Sequence, residues 1–243
     1  MTVISRDFDR ETIKMHQPYK VCQLLKLPLG IESIKAYGEH LLVGTRQGHL
    51  LMYSVAFNNL ENEESDNSDN SVHVQLLRSN KNFSKKAILK LEAVPDYSIL
   101  VALSDSVISV HDIDLSVTNF PVITSLTKTK GASTFALDVS RVTTLTGEEG
   151  CTVRLVVAVK RKLQFYYWKN RKFENGQPDI NLPDVPRSLA WRKDAICIGY
   201  ASGYSLVKMG LLNLHNFRQN FINFIFYKIW TSFTLLFDYF LQF

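Results

Sequence analysis

The side chains able to do chemistry are few and scattered. The six histidines, at positions 16, 40, 49, 73, 111 and 215, include no pair at metal-ligand spacing. Cys22, Cys151 and Cys197 are far apart and form no CxxC pair, which fits reduced, small buried thiols in the cytosol. His111-Asp112 closes a strand-like run and could be written as an acid–base dyad, although a polar strand terminus is the simpler reading. No phosphate-cradling glycine loop, HExxH helix or GxSxG elbow is present. The expectation is therefore of no enzyme: catalytic residues none, cofactor none, metal none, and no small-molecule substrate.

Cations do gather. Lys81, Lys85 and Lys86 lie in SNKNFSKK, Lys128 and Lys130 in TKTKGAS, and Lys160, Arg161 and Lys162 follow one another. Lys169, Arg171 and Lys172 form a further group. The first eight are the candidate docking patches. With a net charge of +5 and a pI near 9.0, they point to an acidic protein face or an anionic membrane surface. Nucleic acid would call for aromatic platforms among the charges, but Phe165, Tyr166, Tyr167 and Trp168 sit together in a strand and read as packing. No nucleic-acid partner is expected.

The elements that must carry these patches are hairpins. HLLVGTRQGHLLMYSV (40–55) is two apolar runs around a turn at Arg46-Gln47-Gly48. DYSILVALSDSVISVHDI (96–113), CTVRLVVAVKRKLQFYYWK (151–169) and SLAWRKDAICIGYASGYSLVKM (188–209) repeat the pattern. Equivalent strand centres at Val43, Val101, Val157 and Cys197 are spaced by 58, 56 and 40 residues. An apolar run precedes each hairpin: IESIKAY, AILKLEAV, STFALDV and RSLAW. The strands are apolar on both faces, so each must be covered on both sides. Repeated small antiparallel sheets at this spacing predict an all-β fold, a partial β-propeller of about four blades.

Three segments stand apart. Residues 1–14 read as a flexible extension without a secretory signal. NNLENEESDNSDNS (58–71) has no apolar face and reads as an acidic solvated loop. The tail, 210–243, holds 11 of the chain's 28 aromatic residues. Arg218, Lys228 and Asp238 limit its uncharged runs to nine residues, too short for a membrane span. Phe221, Phe224, Ile225 and Lys228 recur at helical spacing, so a short apolar helix on a membrane surface or packed against an open blade edge is one expectation. Translated non-coding sequence is the other.

Taken in order, MHQPYKVCQLLKLPLGIESI, LLVGTRQGHLLMYSV, SNKNFSKK, TKTKGAS, VAVKRKLQFYYWK, LPDVPRSLAW and ICIGY resemble the citron-homology (CNH) domain that opens a vacuolar-sorting subunit of HOPS tethering complexes. The resemblance covers about residues 15–209. A related subunit of the CORVET complex, the TGF-β-receptor-associated type, is the alternative. The resemblance implies a non-catalytic tether, cytoplasmic and peripheral on late endosome and lysosome (or vacuole) membranes. It implies partnership with a late-endosomal Rab GTPase and other HOPS subunits in the fusion of endosomes and autophagosomes. It fixes no Rab-contacting residue. It also implies about seven blades and a helical solenoid, of which about four blades are present, so a truncated form unable to join HOPS is a second functional expectation.

Overall fold

The structure, a computed structural model, describes residues 23–57, 72–143, 149–209 and 213–217. The expected 1–14 extension, the 58–71 loop and residues 218–243 lie outside the described residues. What is described is all-β: four antiparallel sheets in chain order, each with its inner strand first.

The first sheet contains β1 (Ile31–Tyr37), β2 (His40–Thr45), β3 (Leu50–Phe57) and β4 (Val72–Asn80). The second contains β5 (Lys90–Val94), β6 (Ile99–Ser104), β7 (Val107–Asp112) and β8 (Val122–Leu126). The third contains β9 (Ala132–Thr143), β10 (Glu149–Val159), β11 (Lys162–Lys169) and β12 (Lys172–Asn175), with the short β13 (Ile180–Asn181) also paired to β11. The fourth contains β14 (Ser188–Arg192), β15 (Ala195–Gly199), β16 (Tyr204–Lys208) and β17 (Asn213–Phe217). This is the partial β-propeller expected from the hairpin repeat, with four blades.

The doubly apolar strands have a direct explanation. In β6 all six residues are buried, and alternate side chains serve different neighbours. Leu100 and Ala102 pack with Leu42, Leu50 and Met52 of the first sheet. Ile99, Val101 and Leu103 pack with Phe135, Val153, Leu155 and Val157 of the third. β10 repeats the device, because Val156 and Ala158 turn the other way onto Ile196, Ile198 and Val207 of the fourth sheet. The core is thus three slabs between four sheets.

The helical spacing expected at Phe221, Phe224, Ile225 and Lys228 lies outside the described residues. Residues 213–217, at the start of the tail, form β17 along β16, from Tyr204↔Phe217 to Lys208↔Asn213. The edge of β16 offers a row of unpaired amide and carbonyl groups, and an adjacent extended segment satisfies them.

Candidate docking surface

Antiparallel hairpins put alternate connections at opposite ends of each sheet. One end is built from β2–β3, β4–β5, β6–β7, β8–β9, β10–β11 and β13–β14 connections, laced together by main-chain bonds. Ser84 N–H donates to the Gly48 carbonyl at 3.1 Å, tying the β4–β5 connector to the preceding turn. Gly48 has φ +83, and a Cβ there would run into the Ser84 carbonyl, so glycine is required at this crossing. Asp105 in the β6–β7 turn accepts from the Ser84 hydroxyl at 3.1 Å and from Lys85 N–H at 3.4 Å. Gly131 N–H donates to the Ser106 carbonyl at 2.9 Å, attaching the β8–β9 connector. The Lys160 side chain lies over Gly131. Arg161 accepts Leu182 N–H on its carbonyl at 2.9 Å, and its guanidinium donates to the Pro183 carbonyl.

All eight candidate cations fall on this end. Lys81, Lys85 and Lys86 occupy the β4–β5 connector, Lys128 and Lys130 the β8–β9 connector, Lys160 and Arg161 the β10–β11 turn, and Lys162 opens β11; every one is exposed. Three clusters separated in sequence therefore sit on adjoining turns of successive sheets. Arg46 in the β2–β3 turn, paired with Glu32 at 3.4 Å, and exposed Arg187 ahead of β14 join them. Sequence reasoning missed both, because a lone arginine at a turn carries no signal until its neighbours are known.

The fourth basic group goes elsewhere. Lys169, Arg171 and Lys172 surround the β11–β12 turn at the opposite end, where Arg171 faces Asp112 at 3.5 Å and Lys172 faces Glu174 at 3.4 Å. That end also carries Glu39, Asp96, Asp114 and Asp194 in its turns.

No dyad forms at His111-Asp112. The His111 ring is buried, with Nδ1 at 2.9 Å from the Phe120 carbonyl, Nε2 at 2.8 Å from the Ser109 hydroxyl, and Phe83 against its face at 4.2 Å between ring centres. Burial pushes its pKa below the ordinary histidine value, partly opposed by the Phe120 carbonyl. Asp112 turns away, accepting Asp114 N–H at 2.9 Å. Burial pushes the thiols of Cys151 and Cys197 up, so both are poor nucleophiles. Among the described residues no group of three His, Cys, Asp or Glu could hold a metal ion, and no helix is long and apolar enough to cross a membrane.

Consecutive small antiparallel blades, packed face to face, define a β-propeller-type domain. The chain belongs to the CNH domain family, whose model matches residues 37–238. That match reaches past residue 209 into the segment set apart in the sequence. The chain is 44% identical to a human Vam6/Vps39-like protein over 80% of its length, and 37% identical to the Drosophila melanogaster vacuolar protein sorting-associated protein 39 homolog over 78%. It spans about a fifth of those relatives, 21% and 20% of their lengths. Among solved structures, the computationally designed Ika4 protein superimposes with a TM-score of 0.50 at 12% identity, over 77% of this chain and 96% of that one, a likeness of fold alone.

Proposed function

We propose that this chain is a non-catalytic part of the HOPS tethering machinery, acting in vacuolar and lysosomal protein sorting. It serves the tethering and fusion of endosomes and autophagosomes with the lysosome or vacuole. Its partners are a late-endosomal Rab GTPase in the GTP state and other HOPS subunits, on the cytoplasmic side of late-endosomal and lysosomal membranes. Kinship to Vam6/Vps39-like proteins at 44% and 37% identity supports the pathway.

The observation that carries the docking role is the convergence of Lys81, Lys85, Lys86, Lys128, Lys130, Lys160, Arg161 and Lys162 on one rigid end. Exposed cations there raise the encounter rate with an acidic surface and cost the fold nothing when the partner is absent. The neutral backbone lacing beneath them keeps the charges at fixed spacing.

The test is retention of the 243-residue chain on an immobilised late-endosomal Rab loaded with a non-hydrolysable GTP analogue or with GDP. Retention should be GTP-dependent and fall as salt rises. It should weaken about tenfold or more when Lys128→Glu and Lys130→Glu are combined with Lys160→Glu and Arg161→Glu, since charge reversal replaces attraction with repulsion. Reversing Arg171 and Lys172 at the other end should leave it unchanged. Equal retention on both nucleotide forms, or none, would remove the proposal.

A further inference from the structure

The stretch SNKNFSKK (79–86) sets one serine among cations, with Lys81 three residues before Ser84 and Lys85 and Lys86 directly after it. Ser/Thr kinases choose substrates largely by such charge patterns, and those with an acidic substrate groove favour cations on both sides of the acceptor. Ser84 also lies outside every strand, in the connector between β4 and β5. It is half-buried, and Lys81, Asn82, Lys85 and Lys86 around it are exposed. Ser133 offers a contrast. Lys130 stands three residues before it, but no cation follows, and it belongs to β9, whose flanking residues Ala132 and Thr134 are paired to β10.

The Ser84 hydroxyl is part of a latch between the first two sheets. One oxygen of the Asp105 carboxylate accepts from that hydroxyl at 3.1 Å and from Lys85 N–H at 3.4 Å, and Lys86 N–H donates to the same hydroxyl at 3.3 Å. Asp105 and Ser106 form the two-residue turn between Ser104 and Val107, with φ +51 and +60. The connector is anchored on either side of the latch. Phe83 lies 4.2 Å from the His111 ring, and Ile88 is wholly buried. Between those anchors, among the described residues, contact with the second sheet rests on one carboxylate oxygen.

We propose that Ser84 is a phosphorylation site whose phosphate opens this latch and discharges the basic end. In the modifying step, Ser84 Oγ attacks the γ-phosphorus of ATP held by a Ser/Thr kinase that prefers basic substrates. The Oγ–P bond forms, the bond from phosphorus to the bridging oxygen of ADP breaks, and the hydroxyl proton passes to the kinase's catalytic base. The product carries a charge of about −1.5 to −2 near pH 7 where a neutral donor stood. Asp105 then faces an anion at hydrogen-bond range, and like charges drive the connector off the β6–β7 turn. Lys81, Lys85 and Lys86 make no ion pair among the described residues, so they turn to the phosphate. Three of the eight docking cations are thereby occupied from within the chain. The weakened docking rests on the Rab reading above; the modification and the opened latch do not.

The full chain is incubated with ATP, Mg²⁺ and the catalytic fragment of protein kinase C, beside the free peptide SNKNFSKK. Peptide mass spectrometry should place phosphate on Ser84 in both, and the Ser84→Ala chain should carry none on residues 79–86. Phosphate on the peptide but not on the folded chain, or on neither, overturns the proposal. In the modified chain the Lys85 amide should exchange its hydrogen several-fold faster, having lost its acceptor. Asp105→Asn keeps a residue type suited to positive φ and removes the repelling charge, so phosphate should change exchange little there. An equal effect of phosphate in the parent and Asp105→Asn chains overturns the latch. Retention on the GTP-loaded late-endosomal Rab should fall several-fold when the parent chain is phosphorylated, and stay unchanged for the kinase-treated Ser84→Ala chain. Equal retention with and without phosphate overturns the discharge of the docking end. A parent chain that is not retained even unmodified is a failure of the Rab reading, and the exchange data still decide the latch.

Discussion

At the scale of single residues, the structure turns apparent chemistry into packing. His111 looked like half of a dyad because an aspartate follows it, yet neighbours along a strand point to opposite faces, and only His111 faces the slab. Its two ring nitrogens are matched to a carbonyl and a hydroxyl, and a depressed pKa keeps the ring neutral near pH 7. The sign of the pH effect follows. Above about pH 6.5 the ring is neutral whether folded or unfolded. Below it the unfolded chain takes up a proton that the folded chain resists, so stability falls as pH drops, until the buried ring itself titrates. His111→Gln removes this titration. Urea midpoints at pH 7.5 and 5.5 should therefore separate less in the variant than in the parent chain. Equal separations would mean that the ring is not a source of acid sensitivity.

At the scale of elements, the outer corner between the first two sheets depends on one side chain. Arg78 of β4 donates to the carbonyls of Ile113 and Asp114, each at 3.0 Å, and to that of Val117, and its guanidinium stacks on the Phe120 ring at 4.5 Å. Asn80 adds a bond to the Asn119 carbonyl at 2.9 Å. Together they hold a β7–β8 loop in which Asn119 and Phe120 both take positive φ, +62 and +50, a conformation that needs outside support. Arg78→Ala should cost roughly 2–4 kcal/mol, because several half-buried carbonyls lose their donor at once. Arg78→Lys should recover little of it, since an ammonium has no planar fork to donate from two separated nitrogens and cannot stack flat on a ring. Thermal unfolding of the three proteins checks both statements. Nothing in the sequence announces this clamp, because its acceptors are main-chain carbonyls that every residue possesses. The strands and turns were legible for the opposite reason: a run such as ILVALS is apolar at every position, and only a strand covered on both sides has a use for that. The same limit governs the candidate surface. The lysine clusters could be read off directly, but their common end depended on hairpin parity, and Lys169, Arg171 and Lys172 fell at the other end of β11 for the same reason. β17 escaped notice because its local pattern carries little strand signal, and the open edge of β16 supplies what the pattern lacks.

At the scale of the whole molecule, the fold is a chain of nearest-neighbour joints, and its energetics should have that form. Leu100, Leu103 and Leu155 are all wholly buried, but they occupy different slabs. Leu100 packs between the first and second sheets, whereas Leu103 and Leu155 share the slab between the second and third. Each change to alanine should destabilise by about 2–5 kcal/mol. Combined, Leu100→Ala and Leu155→Ala should add to within about 0.5 kcal/mol, since they have no common partners. Leu103→Ala with Leu155→Ala should depart from additivity by about 0.5 kcal/mol or more, because removing one side chain lets the slab relax around the other. Double-mutant cycles by urea unfolding would measure both couplings. Strong coupling between Leu100 and Leu155 would show that the sheets unfold as one rigid block, with β6 transmitting strain through its own backbone. Weak coupling there, with clear coupling inside the slab, would locate cooperativity in the joints. In that case the charged end retains its geometry only while the joints between successive sheets hold, and the spacing of its lysines depends on the slabs beneath them.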